Sequence, residues 1–174
     1  MHNCWNRREW MAAATCWQQV WAAAQQPPPR FRSFTEPEAA EIAALAETIL
    51  PEDDGTPGAK TAGVIRFIDA ALAGHDEHKR PLYRTGLQQV QQQRRALFPD
   101  SSSIAALLTD QRIALLRAVE DTPFFSQLRR HTVMGFVCHP TYGGNRDQVR
   151  WKHIGFEPKM HHHHPFGAYE QEPE

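Results

Sequence analysis

The chain has 174 residues, enough for one domain with its own core and too few for two comfortable ones. Its 19 Lys plus Arg are balanced by 20 Asp plus Glu, for a net charge of −1, whereas a nucleic-acid binder carries a basic excess or stripe and a membrane-surface protein a polybasic patch. No uninterrupted apolar run approaches the roughly 20 residues that a membrane-spanning helix needs.

The first segment reads as an address. Asn6-Arg7-Arg8-Glu9-Trp10-Met11 resembles a twin-arginine export signal, with Arg7 and Arg8 as the recognised pair. Met11 to Ala24 is Ala-rich and only moderately apolar, interrupted by Gln18 and Gln19, and Ala22-Ala23-Ala24 supplies the small residues of a cleavage site before Gln25. Residues 1–24 are therefore predicted to be a leader and the destination the periplasm or cell envelope. The plainer alternative is a short amphipathic helix with a chance arginine pair. A lipoprotein anchor at Cys16 is disfavoured, because Ala13-Ala14-Thr15 lacks a large aliphatic residue. Cleavage would remove Cys4 and Cys16 and leave Cys138, either paired with another chain or buried as a small apolar residue.

Residues 25–34 form a polar, Pro-rich linker, expected to be extended or disordered. Thr35-Glu36-Pro37-Glu38 then has the Thr-x-x-Glu form of a capping box, with Pro in the first turn. Ile42, Leu45, Ala46 and Ile49 follow on one face, and Pro51 ends this helix. Pro51 to Gly58 is a loop whose acidic residues do not match the spacing of a calcium-binding loop. A second helix is predicted over Ala59 to Ala73, with Val64, Ile65, Ile68 and Leu72 as its stripe and Gly74 as its stop. Pro81 opens a third, with Tyr83, Leu87, Val90 and Leu97 on one face and Arg94 and Arg95 on a solvated one. After the break at Pro99 to Ser103, a short helix is expected around Ile104 to Leu108. Thr109 is expected to cap the next helix, whose core positions are Ile113, Leu116 and Val119. Thr122-Pro123 restarts the chain as N-cap and first helical residue. Phe124, Phe125, Leu128, Val133, Phe136 and Val137 make the next helix heavily apolar, and Pro140 closes it. Strand alternation is absent. The expected fold is all-α, a small irregular domain of five to six helices over residues 35–157 with an extended C-terminal loop segment.

Gly143-Gly144-Asn145 is a sharp turn, since Gly and Asn tolerate positive φ. Tyr142, Trp151 and Phe156 flank it as large anchors. Such a cluster suits either the centre of an interface or a satellite core that holds the segment down.

Three pieces of this region carry a resemblance: Met134-Gly135-Phe136, Pro140 through Asp147, and Trp151 through Phe156. Ile49-Leu50-Pro51, Pro57-Gly58-Ala59, Ala62-Gly63-Val64 and Phe67-Ile68-Asp69 agree with it. Over roughly residues 36 to 157 the chain resembles the small (gamma) subunit family of gluconate 2-dehydrogenase and related flavin-dependent sugar dehydrogenases. The resemblance implies an α-helical, non-catalytic subunit that binds a large flavoprotein of the glucose-methanol-choline oxidoreductase class, helps it mature as a chaperone would, and escorts it through export. FAD is then expected in that partner and haem c in a cytochrome c subunit, with no cofactor and no catalytic residue in this chain. The residues expected at the partner interface are Cys138, Tyr142, Gly143, Gly144, Asn145, Arg146, Trp151 and Phe156. The chain has no dinucleotide-binding G-x-G-x-x-G, no C-x-x-C-H haem attachment site and no phosphate loop, in keeping with that assignment.

The chain has ten histidines. His161, His162, His163 and His164 form a run in a polar tail over residues 158–174. It could bind a metal weakly, and an exported His-rich metal-binding protein is the alternative functional reading. His75, His78 and His131 are expected at the surface.

Overall fold

Thr35 starts the first helix by the reciprocal contact its sequence predicts. Its Oγ1 accepts from the backbone N–H of Glu38 at 3.4 Å, and Glu38 Oε2 accepts from the N–H of Thr35 at 2.9 Å. A computed structural model describes residues 30–158. Within them the chain forms six α-helices and no strand: α1 (Glu36–Ile49), α2 (Val64–Ala73), α3 (Arg80–Leu97), α4 (Thr109–Arg117), α5 (Pro123–Val137) and α6 (Val149–His153). Single 3-10 turns lie at Glu77–Lys79, Pro140–Tyr142 and Arg146–Gln148. The leader, with Arg7 and Arg8, and the histidine run lie outside the described residues.

Helix α5 is the hub and packs on α1, α2 and α3. Its inward stripe is Phe124, Leu128, His131, Thr132, Gly135 and Phe136. Thr122 caps it, its Oγ1 accepting from Phe125 N–H at 3.2 Å, and Pro123 fills the first turn. Around it Ile42 and Leu45 of α1, Ile68 and Leu72 of α2, Tyr83 and Val90 of α3, and Leu115 of α4 are fully buried or nearly so.

Several local expectations change. Helix α2 starts at Val64 rather than Ala59, because residues 59–63 form consecutive turns that bury Ala59 and Ala62 and end at Gly63 with φ 67°. The stretch from Ile104 to Leu108 is a turn, not a helix: Ser103 Oγ accepts from Ala106 N–H, and Ile104 and Leu107 drop into the core. Thr109 is the first residue of α4 and not its cap; the Gln111 side chain accepts from Leu108 N–H at 3.0 Å instead. The phase of α4 turns Leu115 and Leu116 inward and leaves Ile113 exposed. Leu97, Val133 and Val137 are also exposed. Arg94, expected in solvent, is buried, its Nε donating to Gln91 Oε1 and its Nη1 to the carbonyl of Ser101.

The compact unit begins at Phe31, within the predicted linker. Asp69, buried on α2, accepts from the backbone N–H groups of Arg32 (2.9 and 3.0 Å) and Ser33 (2.7 Å), and Ser33 Oγ donates to the carbonyl of Asp69. Phe31 is thereby buried, and the Phe34 ring lies 6.0 Å from Tyr83. Removing a charged acceptor leaves two amides unmatched, so Asp69→Ala should cost about 2 kcal/mol. Limited trypsin digestion should then cut after Arg32 faster than in the wild-type chain, and equal rates would contradict the clamp.

Candidate functional site

The segment after α5 is built by α5's own end. Cys138 takes the last helical hydrogen bond, to the carbonyl of Met134, and His139 turns extended ahead of Pro140. Thr141 then donates its N–H to His139 Nδ1 and the chain makes one 3-10 turn to Tyr142. Gly143 follows at φ 95°, a conformation that an L side chain rarely adopts. Gly144 is needed for space instead. A Cβ there would stand 2.0 Å from the carbonyl oxygen of Gly135, a backbone atom that cannot give way.

Asn145 is the pin of the segment and has no exposed surface. Its N–H donates to the carbonyl of Gly135 at 2.8 Å, and its Nδ2 to the carbonyl of Cys138 at 3.0 Å. Its Oδ1 accepts from Arg150 N–H at 3.0 Å, and its own carbonyl accepts from Gln148 N–H. One side chain so satisfies the end of α5 and positions the start of α6. Arg146 N–H donates to the carbonyl of Ala62, fastening the same turn to the approach to α2. Asn145, Asp147 and Gln148 all hold positive φ, a cluster that only the surrounding hydrogen bonds sustain.

The aromatics grow out of this pinned base. Trp151 Nε1 donates to the carbonyl of Val137 at 2.9 Å, meeting one of the orphan carbonyls at the end of α5. Its ring stands edge-on to His139 (5.5 Å) and to Phe156 (5.2 Å). The Arg150 guanidinium lies 5.3 Å from the centre of the Phe136 ring. Tyr142 is 65% exposed and Phe156 51%.

The eight residues expected at an interface therefore divide. Gly144 and Asn145 are buried in the folded chain, beneath the exposed side chains around them. Tyr142, Arg146 and Phe156 are exposed, while Gly143, Trp151 and Cys138 are partly covered. The Cys138 thiol donates toward the carbonyl of Gly135 and packs against the core, and burial raises its pKa. Its surroundings are those of a small apolar residue.

A second polar cluster lies at the centre of the fold. His131 is buried at 1% exposure, so its expected surface position is wrong. Its Nδ1 pairs with Tyr83 Oη and its Nε2 with Asp76 Oδ2, each at 2.9 Å, and Lys79 Nζ meets Asp76 Oδ1 at 3.0 Å. Burial pushes the His131 pKa down in spite of Asp76, so the ring is neutral, with Nε2–H donating to Asp76 and Nδ1 accepting from Tyr83. Burial works to raise the Asp76 pKa, but hydrogen bonds from Lys79 and His131 outweigh it and hold the carboxyl at about 2. The cluster's side chains are mutually satisfied and tie α3 to α5. Helical phase could have located it: Phe124, Leu128, His131 and Gly135 fall at i, i+4, i+7 and i+11 on one stripe.

Among the described residues no group of three or more His, Cys, Asp or Glu side chains is placed to hold a metal ion, and no helix is long and apolar enough to cross a membrane. No curated protein and no solved structure matches the chain. The family described as gluconate 2-dehydrogenase subunit 3 matches residues 36–158, which covers all six helices and the pinned turn with its aromatic flank. The chain belongs to the gluconate 2-dehydrogenase subunit 3 family.

Proposed function

We propose that this chain is the non-catalytic small subunit of a flavin-dependent sugar or sugar-acid dehydrogenase. It binds a large FAD-containing subunit of the glucose-methanol-choline class, helps that subunit mature, and travels with it by the twin-arginine route to the periplasm. A cytochrome c subunit would carry the electrons onward. The observation that carries this reading is the family match over residues 36–158, the whole helical body. The Arg7-Arg8 pair supports the export step, and the exposed Tyr142 and Phe156 support a role in binding.

The test is co-expression of the full chain with a large flavoprotein subunit of that class, sought first among the genes beside its own. The two should elute together, with flavin in the large subunit and sugar-dependent dye reduction in the periplasmic fraction. Changing Arg7 and Arg8 to Lys should move most of that activity to the cytoplasm. Separate elution of the two chains, or periplasmic activity that does not change when this chain is omitted, contradicts the proposal.

A further inference from the structure

Helix α5 carries two opposed stripes. One is the buried set that faces the core. The other runs Ser126, Arg129, Arg130, Val133, Met134 and Val137, spaced at i, i+3, i+4, i+7, i+8 and i+11, and every one of these side chains is exposed. Its N-terminal half is basic and borders an open depression lined by Glu120, Phe125 and Arg129 among others. Its C-terminal half is apolar: Val133 is 48% exposed, Met134 42% and Val137 46%. The apolar half continues off the helix. The Trp151 indole donates to the carbonyl of Val137, and Phe156 stands edge-on to Trp151. Among the described residues, the exposed large apolar side chains outside the span 133–156 are Leu97, Leu108 and Ile113.

We infer that this outer face of α5, with the aromatic flank that the Asn145 pin holds beside it, is the surface on which the large subunit docks. The inference rests on the reading of the chain as the small subunit of a dehydrogenase. Charge narrows the occupant. The chain as a whole is at −1, yet the exposed stripe of α5 carries two cations, Arg129 and Arg130, and no carboxylate, with Glu120 at the edge of the depression beside them. A two-fold contact centred on the basic half would set Arg129 and Arg130 of one copy against those of the other, and one centred on the apolar half would leave them without carboxylate partners. A protein surface with an apolar centre and a rim of carboxylates meets both halves of the face. An apolar and aromatic centre with Arg at its edge is also the composition of an energetic centre in a protein–protein contact.

The test uses the full chain co-expressed with the large subunit, and compares four forms. Wild type and Leu108→Asp, a charge placed on an exposed apolar residue elsewhere, should form the complex equally. The double variant Val133→Asp/Val137→Asp should lose at least about tenfold in affinity, since a charge is then forced into the apolar centre. Arg129→Glu/Arg130→Glu should bind more weakly, and the wild-type affinity should fall with added salt. Both double variants alter exposed positions, so their melting temperatures should stay near wild type. If the valine variant fails to fold, the arginine variant decides.

Failure of the wild type to bind the large subunit overturns both the function and the docking surface. Wild-type binding that all variants retain undiminished overturns the surface alone. Binding of wild type to vesicles containing phosphatidylglycerol, lost in the arginine variant while the complex with the large subunit persists in it, would assign the face to lipid and likewise overturn it.

Discussion

Asn145→Ala should destabilise the domain by about 3 kcal/mol, because it deletes both side-chain partners of a buried turn at once. The carbonyl of Cys138 and the N–H of Arg150 would lose the bonds that Asn145 supplies at 3.0 Å. An unsatisfied buried group costs about 1–3 kcal/mol, and a water could enter only where the packing opens to admit it. The backbone consequence is larger than the count of bonds. Residues 145, 147 and 148 sit at positive φ. Alanine tolerates that region less well than asparagine, so the turn loses its most compliant member with its pin. The expected result is a frayed α6 and an aromatic flank that no longer holds one position. Trp151 reports this directly. Of the five tryptophans the other four, Trp5, Trp10, Trp17 and Trp21, lie in the predicted leader, so a chain starting at Gln25 has Trp151 alone. Its emission should shift to the red and its intensity become sensitive to added quencher in Asn145→Ala. An unchanged spectrum together with an unchanged urea midpoint would mean that the turn is held by its backbone alone. Asn145→Asp makes a sharper comparison. It keeps an acceptor for Arg150 but removes the donor to Cys138 and buries a charge, so it should be no more stable than the alanine variant.

What was legible in the residues depends on the distance over which each contact acts. The caps at Thr35 and Thr122 join residues three apart, and their side chains do what the sequence pattern predicts. The all-α architecture follows from stripes that repeat within each helix. The Asp69 clamp joins residues 36 and 37 positions apart, and nothing near Asp69 announces it. The α2 start was obscured by small residues: Ala59 and Ala62 look helical but serve as buried turn residues, because Gly63 reverses the backbone hand. In α5 residue type misled where phase would not have. Val133 and Val137 are apolar and face outward, while His131 is polar and faces inward. Likewise Gly143-Gly144-Asn145 predicts a sharp turn, and the backbone makes one, with positive φ at Gly143 and Asn145. That its second and third residues lie beneath the surface follows only from the carbonyl of Gly135, which packs against both.

That inward histidine gives the second large effect. His131→Leu should cost about 3 kcal/mol or more at neutral pH, since it leaves the Tyr83 hydroxyl and the buried side of the Asp76 carboxylate without their partner. The same variant should also change the shape of the stability profile. In the folded chain burial holds the His131 pKa below the usual 6.5. As pH falls through about 6.5, the unfolded chain takes up a proton that the folded chain refuses, so stability falls, and this decline ends once the folded pKa is passed. Asp76 acts lower on the scale. Its carboxyl titrates near 3.8 when unfolded and at about 2 when folded, so its contribution is complete above the first value and is lost as pH falls through the second. At the alkaline end burial, and then the Asp76 charge, raise the Tyr83 pKa above its usual 10.0. Above that pH the unfolded phenol gives up its proton and the folded one keeps it, so stability falls again. Wild type should therefore be most stable from near neutrality to about pH 9, above which the buried Cys138 thiol starts the alkaline decline before Tyr83 adds to it. Urea unfolding at a series of pH values checks it: in His131→Leu the decline that begins near pH 6.5 should be reduced, while the acid decline assigned to Asp76 should persist in altered form because one of its hydrogen bonds is gone. Parallel profiles for the two proteins would show that His131 is not the group that titrates. Lys79 offers an independent check, because Lys79→Met removes the hydrogen bond that does most to hold Asp76 low. It should move the acid decline to higher pH and leave the onset near pH 6.5 in place.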